Sequence, residues 1–335
     1  MTSQPTDAPQ GEAALLARLQ PHLCTSPLVE IGPGDDAAVL RPGIGRIVAS
    51  TDTIVEGYDF LPKTTCPRWV GEKAAVQNLA DIAAMGARPV ALLSSLSAPA
   101  DTSAHVFEQV TAGMAERAAS DGAVIVGGDL GRADVVTLTV TALGTLADDA
   151  EPVLRSGARP GDVLAIGTER LGRSAAGLAL VLSRQVRVGR EGTVTGAAGY
   201  EELVRHHNAP RVDLQRGWGS GRAAHAMLDL SDGLVRDGAR IAAASAVSLD
   251  LDPAALLPDV EALADLATCL ETDPWQWVLH GGEEHAMLAT FAPSALPQDF
   301  RPIGRVIERA AHPVTLGGEP IRGRGFDHFQ SSPVG

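Results

Sequence analysis

Long apolar runs are missing from this 335-residue chain. No stretch reaches the roughly 18 apolar residues that a spanning helix needs, which argues against a transmembrane segment. Met1 to Gln10 lack a basic region followed by an apolar one, so they read as a frayed tail and not a secretion signal. Cysteine is scarce: Cys24, Cys66 and Cys269 are odd in number, far apart and outside any C-x-x-C pair. That argues against a disulfide framework or a zinc site and fits a reducing cytoplasm. Basic residues are outnumbered, 27 Lys and Arg against 41 Asp and Glu, for a net charge of −14. Such a surface is a poor unaided partner for nucleic acid or an anionic membrane. Aromatic residues make up 4% of the chain, so the core that a 45% hydrophobic content can fill must be aliphatic.

Several catalytic signatures are also absent. There is no H-E-x-x-H, no G-x-x-x-x-G-K-[ST], and no protein-kinase H-R-D or D-F-G pair. Gly32-x-Gly34-x-x-Ala37 formally matches a dinucleotide-binding fingerprint. Asp35 and Asp36 put negative charge where a pyrophosphate would lie, and no helix follows before Arg41-Pro42, so a Rossmann site is rejected.

What is present alternates strand and helix in both halves. Glu12 to Leu19 reads as a short helix, and Leu28 to Ile31 and Ile47 to Ala49 as short strands. Helices are expected over Val70 to Met85, stopped by Gly86 and Pro89, and over Ala104 to Ser120. Ala123 to Val126 reads as a buried strand ending in Gly127-Gly128-Asp129, and the Thr/Val alternation of Val135 to Leu143 as a half-buried one. Further strands are expected at Val163 to Ile166, Ala226 to Asp229 and Met287 to Phe291, with a helix over Arg173 to Arg184 and another starting near Ser231-Asp232. Gln185 to Gly199 is a Gly-rich loop or insertion. The Gly/Pro-rich connector Glu151 to Asp162 sets a division into a tail and helix (1–25), an N-terminal α/β domain (26–150) and a C-terminal α/β domain (151–330).

One arrangement recurs: an apolar strand ends in a small or Gly-rich turn that carries an acid. The sites are Asp35 and Asp36, Asp52, Asp129, Asp229 with Asp232, and Glu283 with Glu284. Any one of them is an ordinary turn or helix cap. Five gathered at one edge would repel one another without a cation, and oxygen ligands with almost no Cys or His select Mg²⁺ before Ca²⁺. The Val70 to Met85 helix adds Lys73, Gln77 and Asp81 at i, i+4 and i+8, with Asn78 beside them, on an otherwise apolar helix that looks buried on several sides. Asp81 is the expected metal ligand among them, and Arg155 in the connector is the expected basic help for nucleotide phosphates.

These segments resemble the thiamine-monophosphate kinase family. The resemblance is carried, in order over about residues 30 to 329, by Gly34-Asp35-Asp36-Ala37, Ser50-Thr51-Asp52-Thr53-x-Val55-Glu56-Gly57 and Asn78 to Ala87. Gly127-Gly128-Asp129, Arg155 to Asp162, Asp229-Leu230-Ser231-Asp232-Gly233-Leu234, Gly281-Gly282-Glu283 and Gly325-Phe326-Asp327-His328-Phe329 complete it. It implies a two-domain α/β fold shared with aminoimidazole ribonucleotide synthetase, whose N-terminal sheet pairs across a homodimer. It also implies ATP-dependent phosphorylation of thiamine monophosphate to thiamine diphosphate with several Mg²⁺ ions. By motif, Asp36, Ser50, Thr51, Asp52, Asp81, Asp129, Asp229 and Asp232 would be metal ligands. Gly128, Asp129, Arg155 and Ser231 would contact ATP, and Glu283 and Phe326 the thiamine substrate.

Two positions depart from the pattern. Asp59 stands where the family has His before Phe, which makes it a substrate-side position, and Glu284-His285-Ala286 replaces Asp-Tyr-Glu after Gly281-Gly282-Glu283. His285 is read either as a compensating donor or as a plain surface histidine. An acceptor phosphate already ionised at neutral pH needs no general base, so the lack of a His- or Ser-based catalytic pair agrees with phosphoryl transfer. Two alternatives stay open: a paralogue acting on another acceptor, and a non-catalytic Mg²⁺-dependent nucleotide-binding protein.

Overall fold

The computed structural model describes residues 18–23, 26–31, 39–40 and 45–321. Asp35, Asp36, Cys24, Phe326 and the remainder of the terminal motif lie outside the described residues. Among the described residues no helix is long and apolar enough to cross a membrane.

Two sheets organise the chain. The first has the order β3 (Arg46–Val55), β6 (Thr137–Leu146), β4 (Arg88–Ala98), β5 (Val124–Arg132), antiparallel except for β4 with β5. β6 shows the expected period of two, with Leu138, Val140, Ala142 and Leu146 buried and the threonines between them half-exposed. A short pair, β1 (Val29–Ile31) and β2 (Val39–Leu40), brings Val29 and Leu40, with Leu28, against Val90, Val124 and Val126.

Two helices pack on this sheet, α1 (Pro67–Ala84) and α2 (Ala104–Ser120). They cross at a pair of glycines. A Cβ on Gly71 would sit 1.9 Å from the Val110 carbonyl oxygen, and one on Gly113 would sit 1.9 Å from that of Arg68. No larger residue permits that approach. α1 ends as expected: Gly86 takes φ +72°, its N–H donates to Ala83, and the Ala87 N–H donates to Ile82. Thirteen of its residues are buried, so it is surrounded and not merely amphipathic.

The second sheet runs β10 (Ala226–Asp229), β12 (Met287–Phe291), β7 (Val163–Ile166), β13 (Arg301–Ile307), β11 (Ser248–Leu251), β14 (Val314–Leu316), β15 (Glu319–Pro320). Its alternation splits the side chains between two cores. Ala165, Met227, Met287, Ala289 and Phe291 join the core of α1 and the first sheet. Leu164, Ile166, Leu228 and Leu288 join a second core under α3 (Arg173–Leu182), α6 (Leu234–Ser245), α7 (Pro253–Cys269) and α8 (Pro274–His280). Between α3 and β10 lie α4 (Glu201–Asn208) and α5 (Gln215–Trp218). The Gln185 to Gly199 segment contains a small hairpin, β8 (Arg187–Val188) with β9 (Val194–Thr195), not loop alone.

Three expectations about acids at strand ends are corrected. Asp52 lies inside one continuous ten-residue strand, because Ser50 to Thr53 pair residue for residue with Thr139 to Ala142. Asp129 also lies mid-strand: β5 runs on through Gly127-Gly128 in parallel with β4, and Gly128 fits because a Cβ there would meet the Ser94 carbonyl oxygen at 1.9 Å. Val278 to His280 end a helix, not a strand; Pro274 opens it and Asp273 caps it by accepting from Trp275 N–H. Among the described residues, Asp229 alone of these acids keeps the expected place at a strand end.

Candidate active site

The site is assembled where α1 meets the edge strand β3 and the end of β10. Residues 50 and 52 face α1. Ser50 Oγ donates to Asp81 Oδ2 at 2.6 Å, and the Asp52 N–H donates to Asn78 Oδ1 at 3.0 Å. Asn78 is fixed in turn by donating from Nδ2 to the Ala74 carbonyl. Asp229 reaches the same place from the second sheet, its Oδ2 3.1 Å from His285 Nδ1. Burial, together with the nearby charges of Asp229 and Asp52, pushes the Asp81 carboxyl up to about 6 despite the Ser50 hydrogen bond. His285 is buried, which overturns the surface reading. Burial opposes its protonation, but Asp229 outweighs that and raises its pKa.

Below this cluster two Gly-rich segments lie backbone against backbone. Glu283 N–H donates to the Ser231 carbonyl and His285 N–H to that of Leu230. A Cβ on Gly282 would sit 2.5 Å from the Ser231 oxygen, which accounts for glycine there. Glu283 and His285 both hold positive φ, +60° and +53°. Lys73, 1% exposed, places Nζ 2.6 Å from Glu283 Oε1 and donates to the Asp59 carbonyl at 3.0 Å. His207 Nδ1 lies 3.3 Å from Glu283 Oε2, and the neighbouring His206 sits 3.2 Å from Glu284. Glu284 also accepts from the Ser174 N–H in the first turn of α3.

The expected residues do not all converge. Ser50, Asp52, Asp81 and Asp229 come together. Thr51 points to the opposite sheet face, its hydroxyl bonded to the Val140 carbonyl and 3.0 Å from Thr141 Oγ1. Asp129 and Gly128 are exposed on β5, the far edge of the same sheet from Asp52. Asp232 is paired with Arg240 and Arg236. Ser231 is held in the paired loops by its carbonyl, and Arg155 is exposed in the connector, its carbonyl accepting from Ser245. Asp59 turns inward, Oδ2 accepting from the Val55 N–H at 2.7 Å. Among the described residues no three acids, histidines or cysteines stand close enough to hold a metal by themselves.

Lys73 and His207 were not legible as site residues. The available signals were a lysine on an otherwise apolar helix and the adjacent pair His206-His207, and neither names a partner.

Comparison with known proteins identifies the family and the fold. Residues 34–146 match the family described as AIR synthase related protein, N-terminal domain. The thiamine-monophosphate kinase of Mycobacterium tuberculosis (strain ATCC 25618 / H37Rv) is 44% identical over 329 residues, covering 98% of this chain and 94% of its own. The crystal structure of thiamine-monophosphate kinase from Stenotrophomonas maltophilia K279a superposes with a TM-score of 0.78 at 30% identity, covering 91% of this chain and 96% of that one. AaThiL complexed with AMPPCP and TMP superposes with a TM-score of 0.75 at 27% identity, covering 95% and 97%. The two-sheet α/β architecture is the aminoimidazole ribonucleotide synthetase-like fold, and the chain belongs to the thiamine-monophosphate kinase family.

Proposed function

We propose that this chain transfers a phosphoryl group from ATP to the phosphate of thiamine monophosphate, giving thiamine diphosphate. The observation that carries the reading is the meeting of Ser50, Asp52, Asp81 and Asp229 beside the paired loops that hold Glu283. A relative of the same fold, AaThiL, is complexed with an ATP analogue and TMP.

The donor set fits Mg²⁺. It is all oxygen, and Asp81, held at about 6 by burial and like charge, gains most from a hard cation beside it. Asp52, Asp81 and Asp229, with Ser50, would hold such ions; Asp36, Asp129, Asp232 and Thr51 complete the set that family resemblance suggests. Bound Mg²⁺ supplies charge neutralisation between two anionic phosphates. The chain itself positions. The Asn78 side chain holds the Asp52 backbone and Ser50 orients Asp81, while Gly128, Asp129, Arg155 and Ser231 are assigned to ATP and Glu283, Asp59 and Phe326 to the acceptor. The acceptor oxygen is already ionised, so an in-line transfer requires no general base from the protein.

The departures at Asp59 and His285 leave this reading intact. The Asp59 carboxylate is bonded within its own turn, so it need not repel the acceptor phosphate. His285 serves Asp229. The separate placement of Asp129 on the far edge, with the half-exposed threonine face of the first sheet, supports a homodimer in which sheets pair. The reading keeps a division near residue 150 and a cytoplasmic setting, which free Cys66 and Cys269 support.

The test is a coupled assay of ADP release with and without thiamine monophosphate. Release that depends on that acceptor is expected. Binding or hydrolysis of ATP with no phosphorylated thiamine product overturns it.

A further inference from the structure

We propose that Lys73 is a positioning residue for the acceptor site, clamping the Glu283 carboxylate and the Asp59 turn together from the buried side of α1. The inference rests on the reading of Glu283 as an acceptor contact and adds the device that makes Glu283 fit for it.

A lysine is almost never fully buried unless it is paired. Lys73 is 1% exposed, and its Nζ joins segments distant in sequence: Glu283 Oε1 at 2.6 Å from the paired loops of the second sheet, and the Asp59 carbonyl at 3.0 Å from the turn after β3. The other carboxylate oxygen is met by His207 Nδ1 at 3.3 Å, and that nitrogen is 3.3 Å from Ser174 Oγ. Glu283 itself sits at φ +60°, a conformation a glutamate keeps only where its surroundings over-determine it. Both its oxygens and its N–H therefore have assigned partners, so its rotamer is fixed.

The charges also balance. Burial, with Lys73 nearby, pushes the His207 pKa down to about 3, so that imidazole is neutral. Burial opposes ionisation of Glu283, but the charge and the hydrogen bond of Lys73 outweigh it and hold its carboxyl below the usual range. One ammonium and one carboxylate cancel. Glu283, whose side chain is still 31% exposed, thus offers a fixed hydrogen-bond acceptor and not a free negative charge. That suits a ring-bound amine of the acceptor and keeps net negative charge away from its phosphate. Lys73 and Asp81 are eight residues apart on one helix, roughly 12 Å along its axis. α1 therefore spaces the acceptor clamp from the acid cluster as a rigid rod.

The experiment compares wild type, Lys73→Met, Glu283→Gln and the double variant, with thiamine monophosphate and ATP varied separately. Lys73→Met is expected to raise KM for thiamine monophosphate about tenfold and leave KM for ATP within about twofold. The double variant is expected to match Glu283→Gln alone, since Lys73 acts through Glu283. Multiplying effects in the double variant, or an equal rise in both KM values, overturns the proposal. Should Lys73→Met fail to fold, the double variant removes both charges and the same comparison with Glu283→Gln decides. A wild type that does not phosphorylate thiamine monophosphate defeats the functional reading. An active wild type with an unchanged Lys73→Met KM defeats this one.

Discussion

Helix α1 carries two groups of charged side chains that treat charge in opposite ways. At its C-terminal end Asp81 faces Asp229 and Asp52, and its carboxyl is held at about 6. Toward its N-terminal end Lys73 and Glu283 neutralise each other at 2.6 Å with a neutral imidazole beside them. One group is strained until something positive arrives; the other is complete. The difference shows which part of a phosphotransferase site can be built in advance. Recognition of a neutral or cationic ring needs a fixed hydrogen bond, whereas screening of transferring phosphate needs charge that the protein leaves for a cation to provide.

The largest effect should come from removing an acid from the incomplete group. Asp52→Asn is expected to lower kcat/KM by about 100-fold or more, roughly 2.7 kcal/mol, with the far-ultraviolet circular dichroism unchanged. Turnover near wild type would remove Asp52 from the machinery.

In the complete group the cost should fall on stability. Glu283→Gln leaves a buried ammonium without its carboxylate, and a loss of about 2 kcal/mol in urea unfolding is expected after allowing for the partial exposure of Glu283. An unchanged unfolding midpoint would mean that the pair carries no stability.

Asp59→His keeps the Lys73 contact, which is to the Asp59 backbone carbonyl, and removes only the side-chain bond to the Val55 N–H. Turnover within about tenfold of wild type is expected, at most roughly 1.4 kcal/mol. A larger loss would show the Asp59 side chain acting directly on the acceptor.

The smallest effect has the opposite sign. Asp81 is raised from 3.8 to about 6, so the folded state holds its proton more tightly than the unfolded chain. The stability this gives is present below pH 3.8 and is lost as pH rises through 6. With chelator present, Asp81→Asn should therefore gain roughly 1 kcal/mol at pH 8, allowing for a weaker Ser50 bond to a neutral acceptor, and little at pH 4. A loss at pH 8 would make the acid cluster as self-sufficient as the clamp.

Much of the fold was legible because local patterns agreed with the tertiary outcome. The helix over Ala104–Ser120 and the alternating strand containing Thr139 and Thr141 are of that kind. The errors came where pairing overrode a turn signal. Ser50-Thr51-Asp52-Thr53 looks like a loop, yet Thr51 and Thr53 lie opposite Thr141 and Thr139 with hydroxyls 3.0 and 2.8 Å apart, and the strand runs straight through. Asp81 was legible as an acid on an otherwise apolar helix, and it is half-buried. The partners of Lys73 were not: Glu283 and His207 reach it from more than a hundred residues away, and no local period reports that.

The core shared by the two sheets bears on how the chain is made. Leu79, Ile82 and Ala83 of α1 belong to the same apolar cluster as Met287, Phe291 and Phe300. Phe300 leaves the ribosome 216 residues after Ala84, roughly 10–40 s later at ordinary elongation rates. During that interval α1 is exposed on the side that the second sheet will cover, and Lys73 has no Glu283 to meet. The first half of the nascent chain is thus a folding intermediate waiting on the second, and synthesis that stalls before residue 300 releases a product with an open apolar face.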